Sequence, residues 1–280
     1  MSGRQEGVAL ISVLLVMSLA LLIVSGLLRS QRLLLQSSGQ QLHSLGLRQL
    51  GVAGESWGLL RLKQAEQVQA TTVDLTQEWA RTDAGFELDD ARVQVVIEDL
   101  SGRLNLNALL APGQVDMVTL GRWQRLLELL SLPPLVLPQV GVVSELSQLR
   151  LLPGFDQRTL SILEPWVALL PGQSTLNINT APPLMLKTLG DLDAQALVDQ
   201  RASVAWPSVQ AFTNDPLVAG AGLNSHGLGV RSRWYRITIL ATQGQGTFRS
   251  ATDVELNSET RRFNVLRRRI LPSMANEVSR

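Results

Sequence analysis

Residues 7–28 read GVALISVLLVMSLALLIVSGLL, an apolar run that decides how the rest of the chain must be arranged. Val8–Leu28 contains no charged side chain, and its polar side chains are three serine hydroxyls, which can bond to carbonyls of their own helix. At about 1.5 Å per residue, a helix of this length crosses a bilayer core of roughly 30 Å. The sequence therefore predicts one membrane-spanning helix near the N-terminus.

The apolar run has three competing interpretations. A cleaved secretory signal has a shorter apolar region, about 7–15 residues, followed by a small-x-small site. The run here is longer, and residues 23–26 (Ile-Val-Ser-Gly) match such a site poorly. A plain signal anchor fits the length. The third interpretation is a segment processed on its N-terminal side, after the short leader MSGRQEG that ends at Gly7.

The third interpretation rests on a resemblance. A short leader with a basic residue (Arg4), a glycine at the cut and then Val8-Ala9-Leu10 resembles the N-terminus of type IV prepilins. Most pilins and pseudopilins carry glutamate five residues into the mature chain, where this sequence has Ser12. K-type minor pseudopilins of type II secretion systems (GspK-like) lack that glutamate. The resemblance implies cleavage between Gly7 and Val8 and N-methylation of Val8.

Composition limits the chemistry of the remaining chain. The 280 residues carry a net charge of +1, 45% apolar residues and no cysteine. Disulfides, thiolate catalysis and cysteine-bound zinc are therefore excluded, and two histidines do not make a histidine-rich metal site. No nucleotide-binding loop, GxSxG, HExxH or triad spacing is present. The sequence predicts no enzyme activity.

A helical pattern continues beyond the membrane, from Arg29 to about Gln69. Spacings of three and four residues place Leu50, Ala53, Trp57 and Leu60 on one apolar stripe. We expect this stripe to contact partner subunits, its own sheet or both. An alternative is two helices with a break near residues 37–39 (Ser-Ser-Gly).

Alternating apolar residues then predict strands. Residues 93–97 and 104–106 are interpreted as two strands joined by a turn at 99–102, and further strands are predicted from Arg233 to Ile270. The arginines at 267–269 predict an exposed edge strand that carries charge against aggregation. Residues 109–222 between these strands have a helical pattern, which indicates an insertion into one sheet.

Two features of the inserted segment suggest ligands. Residues 144–163 resemble a helix-hairpin-helix unit, but its hairpin holds one glycine and Phe155, and neighbouring acids such as Asp156 would repel phosphate, so nucleic-acid binding is not expected. The pair Asp191 and Asp193 is a weak calcium candidate, since calcium takes several oxygen ligands from a turn. Helix capping by these acids is the competing interpretation.

Two further segments, IEDLSGRLNLNAL (97–109) and LNINTAPPLMLKTL (176–189), resemble the K-type minor pseudopilins. The resemblance implies an α+β fold: a long N-terminal membrane and amphipathic helix packed on a small antiparallel, pilin-like sheet, with a large all-α, helix-hairpin-helix-like insertion between strands. The expected division is a leader at 1–7, the helix at 8–70 with its transmembrane part at 8–28, the sheet at 71–108 and 226–272, the insertion at 109–225 and a tail at 273–280.

The family's role is the functional expectation. It implies an inner-membrane protein with a periplasmic C-terminal head, placed at the tip of the type II secretion pseudopilus, where it starts and caps assembly for export of folded proteins. The implied partners are the I- and J-type minor pseudopilins, the major pseudopilin and prepilin peptidase, without nucleic acid, and Ca²⁺ is an implied cofactor. The alternatives are a minor pilin of a type IV pilus and, in a different class, a membrane-anchored periplasmic enzyme.

Overall fold

A long helix dominates the structure, a computed structural model that describes residues 3–68, 71–82 and 84–272, with side chains from Val13 onward. Helix α1 runs without interruption over Gly3–Gln67, about 98 Å at 1.5 Å per residue. The alternative of a break near residues 37–39 is therefore wrong. The predicted tail, 273–280, lies outside the described residues, as do the first two residues of the leader.

The C-terminal part of α1 packs on a five-stranded sheet. The strands are β1 (Gly85–Leu88), β2 (Ala91–Asp99), β7 (Trp234–Gln243), β8 (Gly246–Leu256) and β9 (Phe263–Leu271), lying side by side in that order. All four pairings are antiparallel. The predicted antiparallel sheet is confirmed, and β9, with its arginines, lies at an edge as predicted.

The insertion leaves β2 after Asp99 and returns to β7 at Trp234. It contains helices α2 (Asn107–Leu110), α3 (Met117–Leu129), α4 (Gln157–Leu163), α5 (Pro183–Lys187), α6 (Ala194–Ser203) and α7 (Val209–Thr213). It also contains short strands β3 (Leu104–Asn105), β4 (Val167–Ala168), β5 (Leu176–Asn177) and β6 (Leu228–Gly229). These strands form two parallel pairs, β3 with β4 and β5 with β6. An insertion between strands is thus confirmed, but the prediction that it is all-α is wrong, because distant segments of the insertion pair as these four short strands.

The parallel pairs divide the insertion into two similar units, residues 104–168 and 176–229. Each unit starts with an Asn-x-Asn motif whose first asparagine accepts a hydrogen bond at 3.1 Å from the backbone of the second: Asn105 from Asn107, and Asn177 from Asn179. The first asparagine thereby fixes the turn that follows the strand.

The second asparagine of each motif holds a distant segment of its own unit. The amide of Asn107 donates to the carbonyl of Val143 and accepts from its backbone nitrogen, both at 2.9 Å. The amide of Asn179 holds Trp206 in the same way, at 2.9 and 3.0 Å. The units share one large apolar core, in which Trp123, Leu149 and Phe212 are almost fully buried.

The predicted hairpin between residues 93–97 and 104–106 is wrong. β2 pairs with β7 along its whole length and with β1 over residues 91–94, and it forms no pairing with β3. β3 pairs instead with β4, more than 60 residues away along the chain. A second difference is local: residues 146–151, expected within an α-helix, form a 3-10 helix. The first part of the sheet therefore ends at Asp99, not at 108, and its second part starts at Trp234, not at 226, because β3 and β6 pair within the insertion.

Two additional short 3-10 helices complete the described elements, Glu78–Ala80 and Leu100–Gly102. The first buries Trp79 beneath the sheet, edge-on to Tyr235 at 5.3 Å between ring centroids. The second turns the chain from β2 into the insertion.

Candidate assembly interface

No other element in the described part of the chain covers the apolar half of α1. Every side chain from Val13 to Leu45 is exposed, including leucines at 50–75% exposure. Among the described residues, α1 is the one helix whose length and composition suit a membrane span, with a mean hydropathy of 2.2 in its most apolar stretch. A helix so apolar requires lipid or neighbouring apolar helices around it.

The other half of α1 lies on the sheet through small residues. The buried face of this half consists of Leu47, Gly51, Gly54, Gly58 and Leu62, at spacings of three and four. The glycines have no side chain to hold the helix away from the strands. α1 and the sheet therefore approach each other more closely than larger residues would permit.

The sheet side chains fill the space that the glycines leave. A Cβ atom placed on Gly54 would lie 2.8 Å from Ile239 Cγ2 and 2.9 Å from Val93 Cγ1. A Cβ atom on Gly58 would lie 2.7 Å from Ile237 Cγ2. Contacts below 3.0 Å require a side chain to move, so these glycines fit the branched residues of β2 and β7.

The predicted stripe flanks this buried face. Leu50 and Trp57 are half-buried and pack at the margin of the sheet core, with the Arg61 guanidinium 5.0 Å from the Trp57 ring centroid. Ala53 and Leu60 are exposed, Leu60 to 52%. The four residues therefore contact the sheet on one side and leave an apolar margin on the other. Their role as a partner interface stays a prediction.

A charged contact fixes α1 against the edge strand. The Arg268 guanidinium of β9 donates to both carboxylate oxygens of Glu55, at 2.7–3.1 Å, and Thr252 Oγ1 donates to the same carboxylate at 2.7 Å. The Arg268 hydrogen bonds lower the pKa of Glu55 below its ordinary value. The contact between Glu55 and Arg268 therefore holds α1 against β9, the edge strand farthest from β1.

Asp99 joins the insertion to the sheet. This residue is 7% exposed and accepts hydrogen bonds from Ser101 N (2.8 Å), Asn177 Nδ2 (2.9 Å), Thr180 Oγ1 (2.6 Å) and Ser232 Oγ. Burial raises the pKa of Asp99 above its ordinary value, while the four donors act in the opposite direction. One carboxyl therefore connects β2, the second unit of the insertion and the segment that returns to β7.

A cluster of arginines forms a second junction, on the sheet face opposite α1. Arg236 holds Asp253 through two hydrogen bonds of 2.7 and 3.0 Å, and Arg267 adds a third at 2.6 Å. Burial alone would raise the pKa of Asp253, but the bonds and charges of both arginines lower it. Arg267 also donates to the carbonyl of Ser144, so this cluster reaches the first unit of the insertion.

The position of the insertion follows from the direction of β2. Gly46 of α1 lies near Gln243, which pairs with Ala91 at the start of β2. β2 then runs alongside α1, and its last residue, Asp99, pairs with Tyr235. The insertion therefore leaves the sheet at the end farthest from the apolar half of α1.

The calcium candidates Asp191 and Asp193 lie just before and at the start of α6. Asp193 caps α6, and its Oδ1 accepts from the backbone nitrogens of Gln195 and Ala196, both at 3.1 Å. Asp191 is exposed. Across the residues that the structure describes, no three His, Cys, Asp or Glu side chains come together to hold a metal ion. The geometry supports the capping interpretation of Asp193.

The predicted cleavage position lies in the first turns of α1, where Gly7 and Val8 are helical. Their side chains are outside the described ones, and cleavage after Gly7 stays a prediction. Asp99, the glycine face and Arg268 were missed as functional residues from the sequence. The glycine spacing of three and four from Gly51 to Gly58 was the signal that could have identified the packed face.

Comparisons with known proteins agree with this architecture. Residues 176–231 match a protein-family model described as type II secretion system protein K, and this range coincides with the second unit of the insertion. The type II secretion system protein K of Pseudomonas aeruginosa is 29% identical, over 85% of this chain and 84% of its own length. That of Klebsiella pneumoniae is 24% identical, over 96% of this chain and 97% of its own length.

One solved structure has the same fold. A chain of the crystal structure of the GspK-GspI-GspJ complex from the type 2 secretion system of enterotoxigenic Escherichia coli matches with a TM-score of 0.72 at 21% identity. The match covers 84% of this chain and 99% of that chain.

Proposed function

From its similarity to type II secretion system protein K, we propose that this chain is the K-type minor pseudopilin at the tip of a type II secretion pseudopilus. It starts and caps the assembly that exports folded proteins across the outer membrane. Its role is structural, without enzyme activity. The similarity to two such proteins, over at least 84% of their length, supports the family assignment.

The tip position is supported by one observation: the apolar half of α1 and the insertion lie at opposite ends of the molecule. The apolar half of α1 lies at one end and needs a membrane or a bundle of helices. The insertion of more than 100 residues leaves the other end of the sheet, after Asp99. A subunit stacked above would have to displace this insertion, so the chain accepts neighbours below it and not above it.

Ser12 agrees with a terminal position. In a shaft subunit, a buried glutamate can neutralise the N-terminal ammonium of a neighbour, because burial of an unpaired charge costs several kcal/mol. A subunit with nothing above it has no such ammonium to neutralise. The serine at this position is then sufficient.

The proposal places the chain in the bacterial inner membrane by a single pass, with its C-terminal head in the periplasm. Its partners are the I- and J-type minor pseudopilins, the major pseudopilin and prepilin peptidase. The complex named in the matching crystal structure supports the first two partners.

The proposed function is tested by determining the N-terminal residue of the mature protein. Intact-mass analysis of the membrane-derived protein should find a chain that begins with methylated Val8. Gly7→Glu should leave the leader in place, because a charged, bulky side chain would occupy the cut position. Retention of Met1 in the wild-type chain, in cells with active prepilin peptidase, would contradict the proposal.

Calcium binding stays a prediction that rests on the family resemblance alone. The test is the melting temperature of the full chain with and without millimolar calcium, since a ligand that binds the folded state raises it. Asp193→Ala provides the comparison. Loss of the helix cap should lower the free energy of unfolding by about 1 kcal/mol, and this decrease should be the same with and without calcium. A melting temperature that responds neither to calcium nor to chelator would contradict the prediction.

A further inference from the structure

A cleft of about 460 Å³ lies between the two units of the insertion. Its lining comes from both units and from the segment that links them, and includes Asp116, Thr119, Arg122, Gln173, Ser174 and His226. The volume is within the range of roughly 300–1,000 Å³ that is typical of ligand sites.

The unusual residue of this cleft is Arg122, on α3. It is 5% exposed, and its Nη2 donates to the backbone carbonyls of Asn224 (2.9 Å) and His226 (2.7 Å). Within the described residues, no carboxylate lies at ion-pair distance from this guanidinium. Burial accordingly lowers the pKa of Arg122.

The acid that lines the cleft together with Arg122 has other partners. Asp116 caps α3, accepting from the backbone of Val118 at 3.0 Å and from Thr119 Oγ1 at 2.6 Å. On its other side, the Asp116 carboxylate lies 3.3 Å from His226 Nε2. The Asp116 carboxylate therefore makes the electrostatic potential of the cleft more negative, but it has no direct bond to Arg122.

Arg201 shows that burial of an arginine is not by itself a sign of a ligand. This residue of α6 is also 5% exposed and donates to the carbonyl of Ile178 at 2.8 Å, with its pKa lowered by burial to about 10. Arg201 does not line the cleft. Arg122 differs because it is buried and also lines a cavity.

We propose that this cleft binds a carboxylate presented by a polypeptide, either an acidic side chain or a chain terminus, with Arg122 as the anion-binding group. Burial of a cation that has no carboxylate bonded to it is costly, and guanidinium binds carboxylates through paired, charge-assisted hydrogen bonds. Thr119, Gln173 and Ser174 line the same cleft, and their hydroxyl and amide groups suit the hydrogen-bonding groups of a peptide backbone. The proposal is independent of the proposed function.

The test is titration of the full chain, in detergent micelles, with the blocked tripeptide acetyl-Ala-Asp-Ala-amide. The control ligands are acetyl-Ala-Asn-Ala-amide, which has no charge, and acetate, which has the charge but no peptide. We expect the Asp peptide to bind at least tenfold more tightly than either control. Equal affinity for the Asp and Asn peptides, or no binding of the Asp peptide, would overturn the carboxylate site. Equal affinity for acetate would overturn its assignment to a polypeptide.

Variants locate the binding without disturbing the fold. Gln173 lines the cleft and is exposed, so Gln173→Glu should add a repelling charge there and weaken the Asp peptide at least tenfold, with an unchanged melting temperature. Gln173→Ala is the matched control and should retain binding. Arg122→Gln should abolish binding, although loss of its bonds to the 224–226 segment can also lower stability. Full binding by Gln173→Glu would place the peptide elsewhere and overturn the proposal.

Discussion

At the scale of single residues, the close packing of α1 on the sheet depends on residues that have no side chain. Gly51, Gly54 and Gly58 face the strands, and each is a residue that weakens an isolated helix by about 1 kcal/mol relative to alanine. The sequence showed these glycines but not which way they face. Only the register against β2 and β7 makes their small size an advantage.

We predict that Gly54→Ala destabilises the protein. The added Cβ would lie 2.8 Å from Ile239, so the contact should cost about 1–3 kcal/mol and outweigh the gain in helix propensity. Gly46→Ala is the matched control, since its nearest neighbour would be 3.9 Å away. Thermal melting of both variants is the measurement. Equal stability of the two variants would contradict the tight packing at Gly54.

Asp99 is the second residue whose role the fold alone reveals. Its neighbours Asn177 and Ser232 are 78 and 133 positions away along the chain, so no local pattern could connect them. The segments IEDLSG and LNINT were recognised by resemblance, but the contact between them was not. A buried carboxyl that unites distant segments is invisible to periodicity.

We predict that Asp99→Asn lowers the free energy of unfolding by about 2–3 kcal/mol. The substitution replaces one acceptor oxygen with a donor group, which then faces the four donors around it. Since the folded pKa of Asp99 is raised, its stabilisation is greatest below the ordinary pKa of aspartate and is lost as the pH rises through the raised value. The cost of the substitution in urea unfolding should therefore be greater near pH 4 than near pH 7.

Asp253→Asn should show the opposite trend. The lowered pKa of Asp253 makes its contribution greatest above the ordinary pKa and lost as the pH falls through the folded value. Parallel pH trends for the two variants would contradict the assigned directions.

At the scale of elements, the sequence predicted strands more reliably than their partners. The alternation at Leu104 and Leu106 did indicate a strand, but β3 lies beside β4 rather than β2. Period-two patterns report that one side of a strand is buried and contain no information about the neighbour. The long helix, by contrast, required only local information, and it was predicted from the apolar run and the spacing after it.

The stripe on α1 makes an element-scale prediction. Trp57 is half-buried at the sheet margin, so Trp57→Ala should lower stability by roughly 2–4 kcal/mol. Leu60 is 52% exposed, so Leu60→Glu should leave the melting temperature unchanged while reducing co-purification with the I- and J-type partners. Unchanged co-purification of Leu60→Glu would show that this margin of α1 does not contact them.

At the scale of the whole molecule, the chain has two different ends joined by one helix. The exposed apolar half of α1 provides the attachment, the sheet provides a rigid platform, and the insertion is held at the far end by Asp99 and by the Arg236–Asp253–Arg267 cluster. This polarity agrees with the proposed position at the tip of the fibre. A shaft subunit needs contacts at both ends, whereas this chain presents its helix at one end and a large insertion at the other.

The tip position is the central claim, and electron microscopy of pseudopili with a gold label on this chain tests it most directly. Fibres overproduced with the major pseudopilin should each carry label at a single end and none along the shaft. Label distributed along the shaft would contradict the account, because it would show that subunits can stack above the insertion.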